Sequence, residues 1–432
     1  MKKYVSLFLG LLLLAGCSSL GRGLMEGYFD AQNKKKDEVS CMILSAGFSG
    51  LQQAKQKITN VLLVHGIGSH VPGHSMAFML DISQKMGLDT LNRDYKEIQM
   101  INSADQPVGV LRVYRFLNEK TQRSVVFYEQ TWSEITDPIK QSLSYDTTKE
   151  YAKDRSAVNA KMKFYMNSTL PDTAIYFGPE GERMKASSLQ SICWMTNYTF
   201  DQLPSRARQY CAPSPKQAIN SLKDENFAFI TNSLGSRIAI DALQQMAEEM
   251  RAYPKKTAES KKAVELLQNK EITVFMLANQ LPVLQLGRPA SKHKGKKQDY
   301  CFENGLLYDQ RIFRRLNVVA ISDPNDLLSY GLEPDASDKY LDNALCPEIS
   351  NVSVTTTPAL DVGFGEVANP LFAHTGYQKN PYVLDLIVQG LEDNYLSPSI
   401  EDKCRWIKLK KLGETFLCHL KQFLKRYARF WD

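Results

Sequence analysis

An α/β fold, with a mainly parallel central sheet covered by helices on both faces, is the fold class that this 432-residue sequence predicts. Three observations predict it. Short continuous apolar runs recur along the chain, at Val61 to Val64, Phe227 to Ile230, Ile272 to Ala278 and Leu316 to Ser322. Runs too short for helices suit strands buried on both faces. Helical spacing appears between them, as in Ile238, Ala239, Ala242, Leu243, Met246 and Met250, with Pro254 as the stop. The composition, 43% hydrophobic and 23% charged, is that of an ordinary globular chain with material for a sizeable core. No collagen, heptad or solenoid-type repeat is visible, which argues against rod and propeller architectures.

The first twenty residues read MKKYVSLFLGLLLLAGCSSL, with Lys2 and Lys3 ahead of an apolar run from Val5 to Leu14. That run is shorter than the roughly 20 residues of a membrane-spanning helix, so a cleaved secretory leader is expected over residues 1–16. Residues 17–57, with QNKKKDE at their centre, read as tether and lead-in, and residues 58–432 as the folded domain. The stretch ITNVLLVHGIGSH gives a first buried strand closed by His65-Gly66; Pro72 and Gly73 then precede a helix running to about Met86. Val110 to Leu117 and Val125 to Thr131, joined by NEKTQ, predict a hairpin. From Ile135 to about Asp224 the chain is polar and aromatic with weak periodicity. A minimal α/β unit joins its strands in far fewer residues, so 135–224 is expected to be an insertion, a candidate cap. Later elements are a basic loop at Ser291 to Tyr300, a strand at Asn351 to Thr357 and a helix from about Thr415 to Ala428.

The net charge of +6 is mild and no dense basic stripe or recognition module is present, so a nucleic-acid partner is not expected. The eight cysteines include no C-x-x-C, which leaves zinc-ribbon and thioredoxin-like readings unsupported. In an oxidising compartment the seven besides Cys17 allow up to three disulfides and one odd thiol; proximity offers Cys193 with Cys211 and Cys404 with Cys418.

The chemistry centres on FAFITNSLGSRIAI, where Ser233 sits between an apolar run and an amphipathic stretch. Such a serine either caps a helix or is a nucleophile on a sharp strand-to-helix turn. The second reading needs small residues two before and two after, where strand and helix crowd together; Gly235 fits, and Thr231 is bulkier. A hydroxyl nucleophile also needs a base, and the base needs an orienting acid. Among six histidines, His419 falls in an amphipathic pattern and His293 in a lysine-rich loop, whereas His374 lies in NPLFAHTGY, a loop after the last predicted strand. Asp323 and Asp326, in AISDPNDLLSY, stand just beyond a buried strand, giving the chain order Ser, Asp, His. His65, His70 and His74 are close in sequence but have no neighbouring acid or cysteine to complete a ligand set, so neither a metal nor another cofactor is expected.

From about Thr59 to Gly390 these features together resemble a lipase/esterase-type α/β-hydrolase, carried by Val64-His65-Gly66-Ile67-Gly68, Thr231-Asn232-Ser233-Leu234-Gly235, the Asp323/Asp326 loop and Ala373-His374. A subset of bacterial hydrolases reading T-H-S-L-G-S is also similar, with Asn232 here in place of its His. The resemblance implies an α/β-hydrolase fold with Ser233 as nucleophile and His374 as base. It implies Asp326 as the acid, with Asp323 the alternative, and the N–H groups of Ile67 and Leu234 as oxyanion donors. His65 is then a loop-shaping residue. The implied substrates are carboxylic esters, lipid esters included. An envelope acyltransferase or thioesterase on the same triad is the alternative, and an idle hydrolase-fold lipoprotein that binds a partner a third. Leu14-Ala15-Gly16-Cys17 resembles the lipobox of bacterial lipoproteins, which implies a diacylated Cys17 as mature N-terminus and a durable membrane anchor. Ser18 after it points, by that family's sorting habit, to the outer membrane, facing the periplasm.

Overall fold

The computed structural model describes residues 47–390 apart from 54–56, 89–94, 253–256, 287, 289–294, 334–335, 359 and 362–365. In chain order its main strands are β1 (Ile58–Val64), β2 (Tyr95–Ile101), β3 (Pro107–Asn118), β4 (Arg123–Thr131), β5 (Ala207–Gln209), β6 (Glu225–Asn232), β7 (Glu271–Leu277), β8 (Arg315–Ser322) and β9 (Pro347–Ser353). They form one mixed sheet in the order β5-β2-β3-β4-β1-β6-β7-β8-β9. From β4 across to β9 every pairing is parallel. β3 runs antiparallel to both β2 and β4, the second being the hairpin expected from NEKTQ, and β5 pairs parallel with β2.

The continuous apolar runs are explained by burial on both faces. Leu62, Val64, Phe227, Phe229, Val274 and Met276 belong to one buried cluster, and their chain neighbours Val61, Leu63, Ala228, Ile230, Phe275 and Leu277 to the other. Successive strand residues face opposite ways, so a strand with helices on both sides shows no polar alternation. Helices Gly181–Asn197 and Leu234–Ala252 supply the first cluster; Met76–Lys85 and Pro381–Gln389 supply the second.

Three expectations are corrected. Part of the lead-in is core: Phe48–Gln53 is a helix, and Phe48 is fully buried, edge-on to Phe275 at 6.1 Å between ring centroids. β9 starts at Pro347 rather than at Asn351. The end of the basic stretch, Lys297–Cys301, is helical rather than loop. Between β4 and β6 the chain builds helices Asp137–Lys140, Ala157–Thr169, Pro171–Tyr176, Gly181–Asn197 and Pro215–Asp224, together with β5. The helix Gly181–Asn197 buries Ser187, Ser188 and Ser191 against the sheet, which is why its apolar period is faint.

Disulfides join Cys193 to Cys211 and Cys301 to Cys346. The leader, Cys17, the Cys404/Cys418 pair and the helix expected at 415–428 lie outside the described residues. Among the described residues no helix is long and apolar enough to cross a membrane.

Candidate active site

The carboxyl ends of parallel strands gather the residues singled out above, at the edge where α/β sheets place their ligands. β6 ends at Asn232 and the helix Leu234–Ala252 begins two residues later, so Ser233 makes the whole turn. Its φ is +52°, a left-handed conformation that non-glycine residues seldom adopt and that commonly marks functional sites. The Ser233 N–H donates to the carbonyl of Leu277 on β7 at 2.9 Å, and its carbonyl accepts from Ser236 N–H at 3.0 Å. A Cβ on Gly235 would lie 2.5 Å from the carbonyl oxygens of both Val64 and His65, so only glycine lets the helix start pass β1. Thr231, the bulkier position, is fully buried with its hydroxyl 2.9 Å from that of Ser236. The extra polar atom therefore has a partner, and strand and helix are tied across the turn.

His374 lies not in a loop but in the last turn of a short helix, Pro370–Thr375. Asn369 caps this helix, accepting from the N–H of Leu371 at 3.0 Å, and Pro370 at the first position presets its φ. His374 Nε2 is 3.2 Å from Ser233 Oγ, and its Nδ1 is 3.0 and 2.9 Å from Asp326 Oδ1 and Oδ2. An Nδ1–H donating to the carboxylate leaves Nε2 as an acceptor facing the serine hydroxyl. All three side chains are buried, so this chain of contacts is screened from water.

Asp326 follows β8 in a tight turn and accepts from Leu328 N–H at 3.0 Å and from the Tyr377 hydroxyl at 2.9 Å. Burial works to raise its carboxyl, but the hydrogen bond and charge of His374, with the Leu328 and Tyr377 donors, outweigh burial and hold it below its usual value. Burial, and then the Asp326 charge, push the Tyr377 phenol well up, so it stays a proton donor. Tyr377 stands three residues past His374 in the quoted stretch, but nothing in the local sequence marks its role. Asp323 is engaged elsewhere: Oδ1 accepts from Asn325 N–H at 2.8 Å, and Oδ2 accepts from Thr356 N–H at 2.6 Å.

The loop after β1 passes directly beneath the serine, where a Cβ on Gly66 would fall 2.9 Å from that of Ser233. His65 shapes this loop. Its Nδ1–H donates to the carbonyl of Gly66 at 2.8 Å, its Nε2 accepts from Trp132 N–H at 3.1 Å, and its ring stacks on that of Trp132 at 4.3 Å between centroids. Both ring nitrogens are thereby spent. The Leu234 N–H opens a helix, where first-turn N–H groups have no intrahelical acceptor and the helix dipole favours negative charge.

The rings of His65, His70 and His74 lie 4.2 to 5.4 Å apart by centroid. Among the described residues no group of three or more His, Cys, Asp or Glu is placed to hold a metal ion. Burial, and then the neighbouring histidines, lower His65 well below its usual value, and burial lowers His70 and His74 to about 4. The fold therefore favours these three as neutral rings, whereas the unfolded chain protonates them near the ordinary imidazole value of 6.5. The contribution of His70 and His74 to stability is full above pH 6.5 and is lost as pH falls through about 4, and that of His65 is lost in the same direction. Thermal unfolding followed across that window is expected to show a falling midpoint, with a shallower slope in His70→Gln and His74→Gln. Equal slopes in all three proteins would contradict the assignment.

No family model, curated protein or solved structure matches this chain.

Proposed function

We propose that this protein is an envelope-anchored serine hydrolase of the α/β-hydrolase type that cleaves carboxylic esters through an acyl-enzyme. The observation that carries the reading is the chain of contacts from Ser233 Oγ to His374 Nε2 at 3.2 Å and from His374 Nδ1 to Asp326 at 2.9 Å, mounted on a positive-φ turn between strand and helix. On this reading Ser233 Oγ attacks the ester carbonyl while His374 Nε2 takes its proton. The N–H groups of Ile67 and Leu234 hold the oxyanion, and Asp326 stabilises the imidazolium. Collapse expels the alcohol, which takes the proton back from His374. Water, deprotonated by the same nitrogen, then attacks the acyl-enzyme and releases the acid, restoring Ser233.

The side chains next to the triad favour apolar esters. Leu327, adjacent to Asp326, is 71% exposed, and Phe372, two residues before His374, is 61% exposed. Of the helices between β4 and β6, Gly181–Asn197 packs on the sheet, whereas Ala157–Thr169 and Pro171–Tyr176 take the part of a cap in this reading. Leu14-Ala15-Gly16-Cys17 supplies the lipid anchor that holds the enzyme at the outer membrane facing the periplasm.

Mixing the full-length protein with p-nitrophenyl esters of graded acyl length tests the proposal. A burst of p-nitrophenol approaching one per chain is expected, with the acyl group found on the Ser233 peptide after acid quench. Absence of both turnover and acylation would remove the reading; transfer to an added alcohol or thiol in preference to water would move it to an acyltransferase.

A further inference from the structure

We infer that Asp172 and Lys140 are positioning residues that hold the loop carrying Ile67 in its oxyanion-binding geometry; this rests on the hydrolase reading above. Asp172, on the helix Pro171–Tyr176, is fully buried, and its Oδ2 accepts from the backbone N–H of Gly68 at 2.6 Å across 104 residues of sequence. Gly68 immediately follows Ile67, and its φ of +103° lies in the region that favours glycine. Fixing the Gly68 N–H fixes the peptide plane next to the proposed donor. The neighbouring residue is held as well: Ser69 Oγ donates to Asp137 Oδ1 at 2.6 Å.

Lys140 joins the two acids. Its Nζ lies 3.0 Å from Asp172 Oδ1 and 2.8 Å from Asp137 Oδ1, and it donates to the carbonyl of Ser168 at 3.1 Å. The ammonium answers a problem the carboxylate creates. A lone buried anion beside an oxyanion site would oppose the negative charge that develops there, and its field would be little screened. With Lys140 in contact, Asp172 supplies a rigid acceptor without that penalty. Asp172 and Lys140 are buried, which favours an ordered loop over a solvated one, while Ser69 is exposed and Asp137 part-exposed at its rim.

The test uses the full-length protein, steady-state ester hydrolysis and a trifluoromethyl ketone, which adds to a serine as a tetrahedral oxyanion. Asp172→Ala is expected to lower kcat by about 10²-fold, with KM changed by no more than about twofold, as for a misplaced oxyanion donor. Asp172→Asn keeps an acceptor oxygen and should lose about tenfold or less. Lys140→Met leaves the buried carboxylate unpaired and should be the slower of the two conservative variants. The double variant Lys140→Met/Asp172→Asn should then recover above Lys140→Met alone, because no lone charge remains. Ketone affinity should fall in step with kcat/KM throughout the series, a correlation that a general loss of folded protein would not produce. Where Asp172→Ala does not fold, Asp172→Asn and the double variant carry the same comparison.

Wild-type kcat in Asp172→Asn and Lys140→Met, a change in KM alone, or ketone affinity unmoved while kcat falls would each overturn the inference. If the wild type neither turns over esters nor binds the ketone, the hydrolase reading itself has failed. If the wild type is active and the Asp172 and Lys140 variants match it, only the positioning role has failed.

Discussion

Ser233→Ala is expected to lower ester turnover by about 10⁶-fold and to abolish labelling by a fluorophosphonate, while leaving the protein folded. The size of the loss follows from what the position supplies. An alanine there has no atom to form the acyl bond, and water held by the remaining groups is a poor substitute for a covalent intermediate. Folding should barely notice. The substitution keeps the Cβ that lies beside Gly66 and removes a hydroxyl with one contact, to His374 Nε2 at 3.2 Å. A lost hydrogen bond of that kind is worth about 1 kcal/mol, and alanine tolerates the φ of +52° no worse than serine does. A fall in activity with an unchanged unfolding midpoint would therefore report chemistry rather than stability. Equal labelling of wild type and Ser233→Ala would end the assignment of this serine.

What the sequence made readable, and what it concealed, divides along physical lines. β1, β6, β7 and β8 could be read because both faces of each are buried, which leaves unbroken apolar runs such as Val61 to Val64. β2 lies next to the short edge strand β5; it keeps Ile98 and Met100 buried but leaves Tyr95 exposed and Lys96 and Glu97 part-exposed, so its run is too polar to stand out. The helix Gly181–Asn197 escaped for a different reason. Its buried face uses serines, which allow close approach to the sheet without an apolar stripe. The members of the candidate site divide similarly. Ser233 and Gly235 sit in one local motif because the crowding of strand and helix is itself local. Chain order and strand ends picked out His374 and left Asp323 and Asp326 both open, the resemblance alone favouring Asp326, and it is Asp326 that stands in contact with His374. Tyr377, Asp172 and Lys140 act through partners far away in sequence, and no local pattern records such contacts. The Cys301–Cys346 bridge was hidden for the same reason, spanning 45 residues, whereas Cys193–Cys211 closes a short loop that proximity could suggest.

The two aspartates beyond β8 should separate cleanly when each is replaced by asparagine. Asp326→Asn is expected to reduce kcat by about 10⁴-fold with the fold retained. The amide matches the carboxylate in shape, but its NH₂ donates where His374 needs an acceptor. The imidazole then turns to the tautomer with a proton on Nε2, which faces Ser233 and can no longer receive the serine proton. The Leu328 N–H and the Tyr377 hydroxyl address different oxygens of Asp326, so no orientation of the amide satisfies both donors and His374 together. Asp323→Asn meets a different environment. Its Oδ2 holds the Thr356 N–H at 2.6 Å, and the Thr356 hydroxyl lies within 2.8 Å of that oxygen and 2.7 Å of the carbonyl of Ala373, next to His374. Weakening this brace should cost about 1–3 kcal/mol of stability, read as a lower urea midpoint. It should change kcat by no more than about tenfold, through small shifts of the Pro370–Thr375 helix. The two variants thus separate by rate, Asp326→Asn losing about 10⁴-fold in kcat and Asp323→Asn no more than about tenfold, at comparable costs in stability. If Asp323→Asn alone silences turnover, the acid has been misassigned, and the contact between His374 and Asp326 would have to serve folding instead of proton transfer.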